Sequence, residues 1–270
     1  MSERHGPARK PAAPAVAFIA TVTLGVGTGI AANFPQHLTD VYLTPQIKTG
    51  ARIETIFSKT VAITGTGFEP LVRRVSGSAS DTILATGPYG LKDDSHYIYD
   101  GLASGSGVIV IRGDGIHYCD TQGRCSENNQ TSAPIFDPML WGQVPTDLAV
   151  GRSWTVDVKS PWEIGPTGTE EVSVLRLDRS LGLITLARHG KGRGMSSDDI
   201  RRHDFTITAH GHEIKVQLHP GPAVWQGRAT FLHGLTIVDE IVLTRPVKLV
   251  SNSRHTFRGE ERIYTIFAES

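Results

Sequence analysis

The stretch that most constrains this chain is Phe205 to Thr244, which carries two consecutive hairpin patterns, each turning on a His-Gly pair. With His210-Gly211 as the first loop, Ala209 faces His212, Ile207 faces Ile214 and Phe205 faces Val216. A two-residue loop with glycine second suits a type I′ turn, whose two central residues both need positive φ. Side chains alternate across a strand, so Thr206, Thr208, Glu213, Lys215 and Gln217 fall together on the opposite, polar face. In the second hairpin, His233-Gly234 sets Leu232 against Leu235 and Thr230 against Ile237. Continuing that register opposes Arg228 to Asp239 among apolar neighbours. A carboxylate there needs a partner, and a guanidinium supplies charge-assisted hydrogen bonds. The sequence therefore predicts a structural ion pair, Arg228–Asp239, with a catalytic Asp239 as the alternative.

The rest of the chain repeats the strand pattern. Apolar alternation marks Ile53 to Ile63, Leu71 to Ser78, Asp81 to Thr86, Ser153 to Lys159, Glu170 to Leu177 and Leu183 to Arg188. Gly107 to Ile111 and Ile116 to Cys119 flank Arg112-Gly-Asp-Gly115. A loop at Gly113-Asp114 opposes Ile111 to Ile116 and Ile109 to Tyr118, while Asp114-Gly115 is an equally lawful turn. Periodicity lapses between 121 and 149, with one short helical turn around Met139 to Trp141. Gly190 to Gly194 and Met195 to Asp199 read as a loop. The fold class that follows is all-β: a curved antiparallel sheet or open barrel of roughly a dozen strands in a single domain, residues 51–270. Residues 33–50 read as a linker.

Residues 1–32 have the pattern of an export signal. Arg4, Arg9 and Lys10 precede an apolar run from Ala15 that ends in small residues at Ala31 and Ala32. An uncleaved membrane anchor is the alternative, because about 18 apolar residues can just span a bilayer. Export implies a periplasmic or secreted protein, and in an oxidising compartment Cys119 and Cys125 are expected to pair as a disulfide.

Lys plus Arg and Asp plus Glu both number 27, so no basic surface advertises nucleic acid. The Arg-Gly-Asp tripeptide sits where a turn is required. His210 and His212 have a spacing that can serve a metal, but the turn takes His210 out of the strand, and neither a metal nor another cofactor is expected. Gly190 to Gly194 lacks the phosphate-loop pattern. Tryptophan is favoured at recognition surfaces, and Trp162, beside Pro161, together with Trp225 are the expected ligand-contacting residues. The leading reading is an extracytoplasmic binding or carrier module for an apolar or amphiphilic ligand. The alternatives are an exported hydrolase of a polysaccharide or envelope substrate using paired carboxylates, and a structural or assembly factor. Any membrane association rests on the N-terminal segment, and the residues do not fix an oligomeric state.

Overall fold

The structure, a computed structural model, describes residues 43, 47–87, 90–99, 103–112, 115–119, 125–127, 135–136, 138–200 and 204–269; the side chains of 84–134, 138, 139 and 200 are not described. The proposed signal segment, the Gly113-Asp114 turn and the thiols of Cys119 and Cys125 thus lie outside it.

Nearly everything described is antiparallel β, gathered in one curved, open sheet. The first half is a meander: β1 (Arg52–Gly65), β2 (Leu71–Gly87), β3 (Gly90–Tyr99), β4 (Ala103–Arg112), β5 (Gly115–Cys119) and β6 (Cys125–Glu127). After the turn α1 (Pro138–Trp141) a second meander follows: β7 (Ser153–Val158), β8 (Thr167–Asp178) and β9 (Leu183–Arg193). The turn α2 (Ser197–Ile200) leads to β10 (Phe205–Ala209), β11 (His212–Pro220), β12 (Ala223–Leu232), β13 (Leu235–Ser251) and β14 (Thr256–Glu269). The strand order is β6-β5-β4-β3-β2-β1-β14-β13-β12-β9-β8-β7, so β14 joins the two halves by pairing with β1. The meanders are local, but this central junction is not.

The two His-Gly turns are as the sequence predicts. His210 and Gly211 have φ of 52° and 79°, and His233 and Gly234 have 47° and 76°. The first hairpin keeps the expected register throughout, as does the β4–β5 pair with Ile111 opposite Ile116. β11 and β12 run end to end beside the 17-residue β13. Their junction, Pro220-Gly221-Pro222, meets Pro246 on β13, and Gly221 N–H donates to the Pro246 carbonyl (2.7 Å). Residues of an antiparallel strand point N and O the same way, so the missing donor of Pro246 falls where the partner strand is already interrupted.

The second hairpin departs from the expected register. Leu232 does face Leu235, but a bulge between Thr230 and Phe231 puts Thr230 opposite Val238 instead of Ile237. One extra residue on β13 reverses which side chains point inward. The Arg228–Asp239 pair is therefore wrong. Arg228 faces Glu240 on the outer surface, with Nη2 to Oε1 at 3.4 Å, whereas Asp239 faces Ala229 and is buried on the inner surface.

Gly190 to Arg193, expected as a loop, belongs to β9. The glycines are explained by what lies on them. The Trp225 indole occupies the space a Cβ at Gly190 would need, and the backbones of Thr167 and Lys191 crowd Gly192 and Gly168. Met195 to Asp199 is capped rather than irregular: Ser196 N–H donates to Asp199 Oδ2 (2.8 Å) and Asp199 N–H to Ser196 Oγ (3.3 Å), a reciprocal box. Inner-facing residues form successive apolar clusters, with Trp141, Val172, Leu186 and Phe231 in one and Trp162, Ile164, Trp225 and Leu243 in another.

Gly190→Ala should force the indole aside and cost about 1–3 kcal/mol by overpacking alone. Lys191→Ala on the exposed face should stay within about 0.5 kcal/mol. Urea unfolding of the two variants checks the pair.

Candidate functional site

Two side chains cross the inner face, and each passes over a glycine. Arg188 on β9 sits opposite Gly227 on β12. A Cβ at Gly227 would lie 3.3 Å from Arg188 Cγ and 2.7 Å from the Glu240 carbonyl oxygen. With only hydrogen there, Arg188 spans β12 and its Nη2 donates to Asp239 Oδ2 on β13 (3.2 Å). The guanidinium rests 4.2 Å from the Trp141 ring centroid, a cation–π contact in a dry setting. Trp225 makes the reverse crossing from β12 over Gly190 to β8, where its Nε1–H donates to Glu170 Oε2 (2.7 Å).

Glu170, Arg188 and Asp239 are all buried. Burial disfavours a charged carboxylate and pushes Asp239 up to about 6, against the pull of Arg188 and with a further push from Glu170. Glu170 is raised for the same reason, opposed by Arg188 and by the Trp225 hydrogen bond. Each acid spends one oxygen on its partner. Glu170 Oε1, Asp239 Oδ1, Thr236 Oγ1 and Thr265 Oγ1 have no hydrogen-bond partner among the described residues.

The polar belt continues towards β1. Thr265 on β14 faces Lys59 on β1, and Lys59 Nζ contacts Asp198 and also Glu163 Oε1 (3.2 Å). Arg245 on β13 donates from Nε to Glu261 Oε2 (2.7 Å) and from Nη2 to Asp199 Oδ1 (2.8 Å), all three side chains buried. These cations hold the Trp162–Gly165 loop and α2 against the concave surface, and Ser197 N–H donates to the Trp162 carbonyl (3.0 Å) to tie the two segments together. Asp239 faces Phe267, which faces Phe57, which faces Gly77 on β2. Asp239 is buried while the two phenylalanines are half-buried, so the row runs from an enclosed carboxylate to a partly exposed aromatic pair.

Trp162 and Trp225, expected to meet a ligand, instead meet each other. Their rings pack edge to face at 5.5 Å and 70°, both are buried, and Trp162 Nε1–H is spent on the Pro166 carbonyl (3.0 Å). Trp162 does lie in a loop, but its indole turns inward to fill the space against Gly165. β5 and β6 place Cys119 opposite Cys125. Sequence reasoning missed Glu170, Arg188 and Lys59. Their signal was parity: Glu170 shares a face with Val172 and Val174, Arg188 with Ile184 and Leu186, and Lys59 with Val61 and Ile63. A charge at an inward position is the mark of a buried network.

No family model matches the chain, and no curated protein matches it. Among solved structures, a loop-L8 deletion mutant of OmpT, an outer membrane protein of Vibrio cholerae, is similar at 8% identity and a TM-score of 0.23, covering 83% of this chain and 100% of that one. A protein of unknown function from the DUF3598 family of Nostoc punctiforme is similar at 7% identity and a TM-score of 0.14, covering 78% and 94%. Scores this low carry no argument about shape, location or activity.

Asp239 gives the site a pH signature. Its folded pKa of about 6 exceeds the unfolded 3.8, so its contribution is fully present below the lower value and is lost as pH rises through the upper one. Over the whole window this amounts to about 3 kcal/mol, of which roughly half appears between pH 7.5 and pH 5. Glu170 acts in the same direction. Urea unfolding should show Asp239→Asn losing that gain on acidification relative to the parent protein; identical pH profiles would contradict the assignment.

Proposed function

We propose that the protein is an exported binding or carrier module that holds an apolar or amphiphilic small molecule on the concave face of its sheet. The observation that carries this reading is the row from Asp239 through Phe267 and Phe57 to Gly77, where a buried polar end meets half-buried aromatic surface. Such a mixture of apolar lining and a few placed polar groups is what small-molecule sites offer. Trp162 and Trp225 then act from behind the site, as packed neighbours of the belt. The outer face supports a water-exposed protein: Arg228, Glu240, Lys248 and Arg262 interrupt its apolar positions, unlike the continuous band of a lipid-facing barrel. The basic start and apolar run of residues 1–32 support export, with uncleaved anchoring as the alternative. The Cys119–Cys125 register supports a cross-strand disulfide.

Hydrolysis by paired carboxylates is the second reading, favoured by Glu170 and Asp239 sharing Arg188. Their burial weighs against it, since a glycosidase pair must flank a bond of a bound polymer. A purely structural role has no observation specific to it.

One experiment tests the proposal. Protein recovered from its native compartment should have lost residues 1–32 and carry two fewer hydrogens than the thiol form, by mass. Titrated with dodecyl amphiphiles, it should show saturable changes in tryptophan fluorescence, because Trp225 is bonded to the belt through Glu170. An intact N-terminus with alkylatable thiols would overturn export. No saturable response to any amphiphile, together with release of sugars from a glycan, would favour the enzyme.

A further inference from the structure

We infer that the end of the sheet formed by the lead-in to β7 and the β8–β9 turn docks on a lipid bilayer, with Val150, Leu175 and Leu181 entering the headgroup region and Arg152, Arg176 and Arg179 facing anionic lipid. The inference is independent of the small-molecule site. Its first support is where apolar surface is exposed. Among the described residues six large apolar side chains are exposed, and three of them are Val150 at 64%, Leu175 at 50% and Leu181 at 53%. Single apolar residues on a surface are ordinary, but a group gathered on the turns of one end is not. Gly151 N–H donates to the Val174 carbonyl (2.8 Å) and Val174 N–H to the Arg152 carbonyl (2.9 Å), so Gly151 and Arg152 together oppose one residue. On its other side β8 shifts register against β9 between Val174 and Arg176. These two irregularities free Val150 and Leu175 from the alternation at adjoining positions. Leu181 is held at the tip of the next turn, where Asp178 Oδ1 accepts from Ser180 N–H (3.1 Å), Ser180 Oγ (2.7 Å) and Leu181 N–H (3.2 Å). Asp178 and Gly182 already supply what this turn requires, so its geometry does not call for an exposed leucine. His233 N–H donates to the Gly182 carbonyl (2.9 Å) and fixes the tip to the neighbouring hairpin. A platform held in this way loses little entropy on docking.

Charge supplies the second support. Arg152, Arg176 and Arg179 are exposed on the same segments, against Asp147 and Asp178. Arg152 Nη2 lies 3.3 Å from Asp147 Oδ1 and Arg176 Nη2 lies 3.5 Å from Asp178 Oδ2, exposed pairs of a kind that hold weakly. Apolar tips beside arginine suit the bilayer interface, where the apolar atoms enter and the guanidinium stays level with the phosphates. A second copy docking through the same surface would instead set arginine against arginine. The third support is where the chain enters the fold. Leu43 is buried in one cluster with Leu148 and Val174, which neighbour Val150 and Leu175 in the chain. Ala32, at the end of the apolar run, lies eleven residues earlier. That is at most about 40 Å of extended chain, so a run engaged at a membrane keeps this end of the sheet within reach of it.

The test uses protein recovered from its native compartment and vesicles of phosphatidylcholine, alone or mixed in roughly equal parts with phosphatidylglycerol. On mixed vesicles Leu181→Trp should gain an emission component that brominated phosphatidylcholine quenches, whereas Val224→Trp, exposed on the outer face of β12, should not. This readout serves whether or not residues 1–32 are retained, because tethering through that run leaves the new indole in water unless the turn itself docks. In sedimentation of the processed protein, Leu181→Ser should weaken vesicle binding about five-fold or more, and Val224→Ser should leave it within about two-fold. Arg179→Ser should weaken binding about five-fold on the mixed vesicles and hardly at all on phosphatidylcholine alone. No quenching of Leu181→Trp, or quenching equal at the two positions, would overturn the docking face, as would binding unmoved by Leu181→Ser. A dimer in solution that Leu181→Ser dissociates, with no vesicle binding, would assign the surface to a second copy and overturn the lipid reading.

Discussion

Arg188 reaching over Gly227 to Asp239 is the contact on which the inner face depends. A side chain on a strand ordinarily meets its nearest cross-strand neighbours. Here one side chain bridges β9 and β13 because the strand between them offers no Cβ at the crossing point. Trp225 repeats the device over Gly190. Each crossing welds three adjacent strands through side chains as well as through the backbone ladder. The crossings run in opposite directions and share β9 and β12. Glycines that weaken a strand by entropy are retained here because a larger residue would block a buried polar contact.

The core of the sheet is layered by this arrangement. The apolar cluster around Trp141 and Phe231 lies on one side of the Glu170–Arg188–Asp239 group, and that around Trp225 and Leu243 on the other. Arg245 with Asp199 and Glu261 separates the latter from the cluster of Ile207, Val216 and Leu249. Burying ion pairs is seldom the cheapest way to stabilise a fold, because desolvation offsets much of the attraction. What these pairs supply is position. Lys59 and Arg245 fix a short capped turn and a tryptophan-bearing loop on the concave face, leaving the Asp239–Phe267–Phe57 row beside them.

The fold class was legible in the chain because strand alternation and turn chemistry are local. His210-Gly211 and His233-Gly234 adopt the positive φ their residue types allow, and the first hairpin register follows from its turn alone. The second register failed at one residue. No pattern in Phe231 to Val238 announces a bulge, yet it exchanges Asp239 for Glu240 as the partner of Arg228. The candidate site was less legible for a related reason. Gly190 resembles part of a flexible loop until Trp225, over thirty positions away, is placed upon it. Trp162 in a proline-flanked loop looked available, but its indole turns inward over Gly165, donates to the Pro166 carbonyl and packs on Trp225. Inward parity at Glu170, Arg188 and Lys59 was present in the alternation, but which of them meet depends on β12 lying between β9 and β13.

The most direct measurement is a double-mutant cycle on Arg188 and Asp239, with Arg228 and Glu240 as the surface reference. Arg188→Ala should cost about 3–5 kcal/mol by stranding a buried carboxylate, and the inner pair should show a coupling of roughly 1–3 kcal/mol. The outer pair, exposed and 3.4 Å apart, should couple by about 0–1 kcal/mol. Additive effects at Arg188 and Asp239, or a larger coupling between Arg228 and Glu240, would contradict the crossing that organises the sheet.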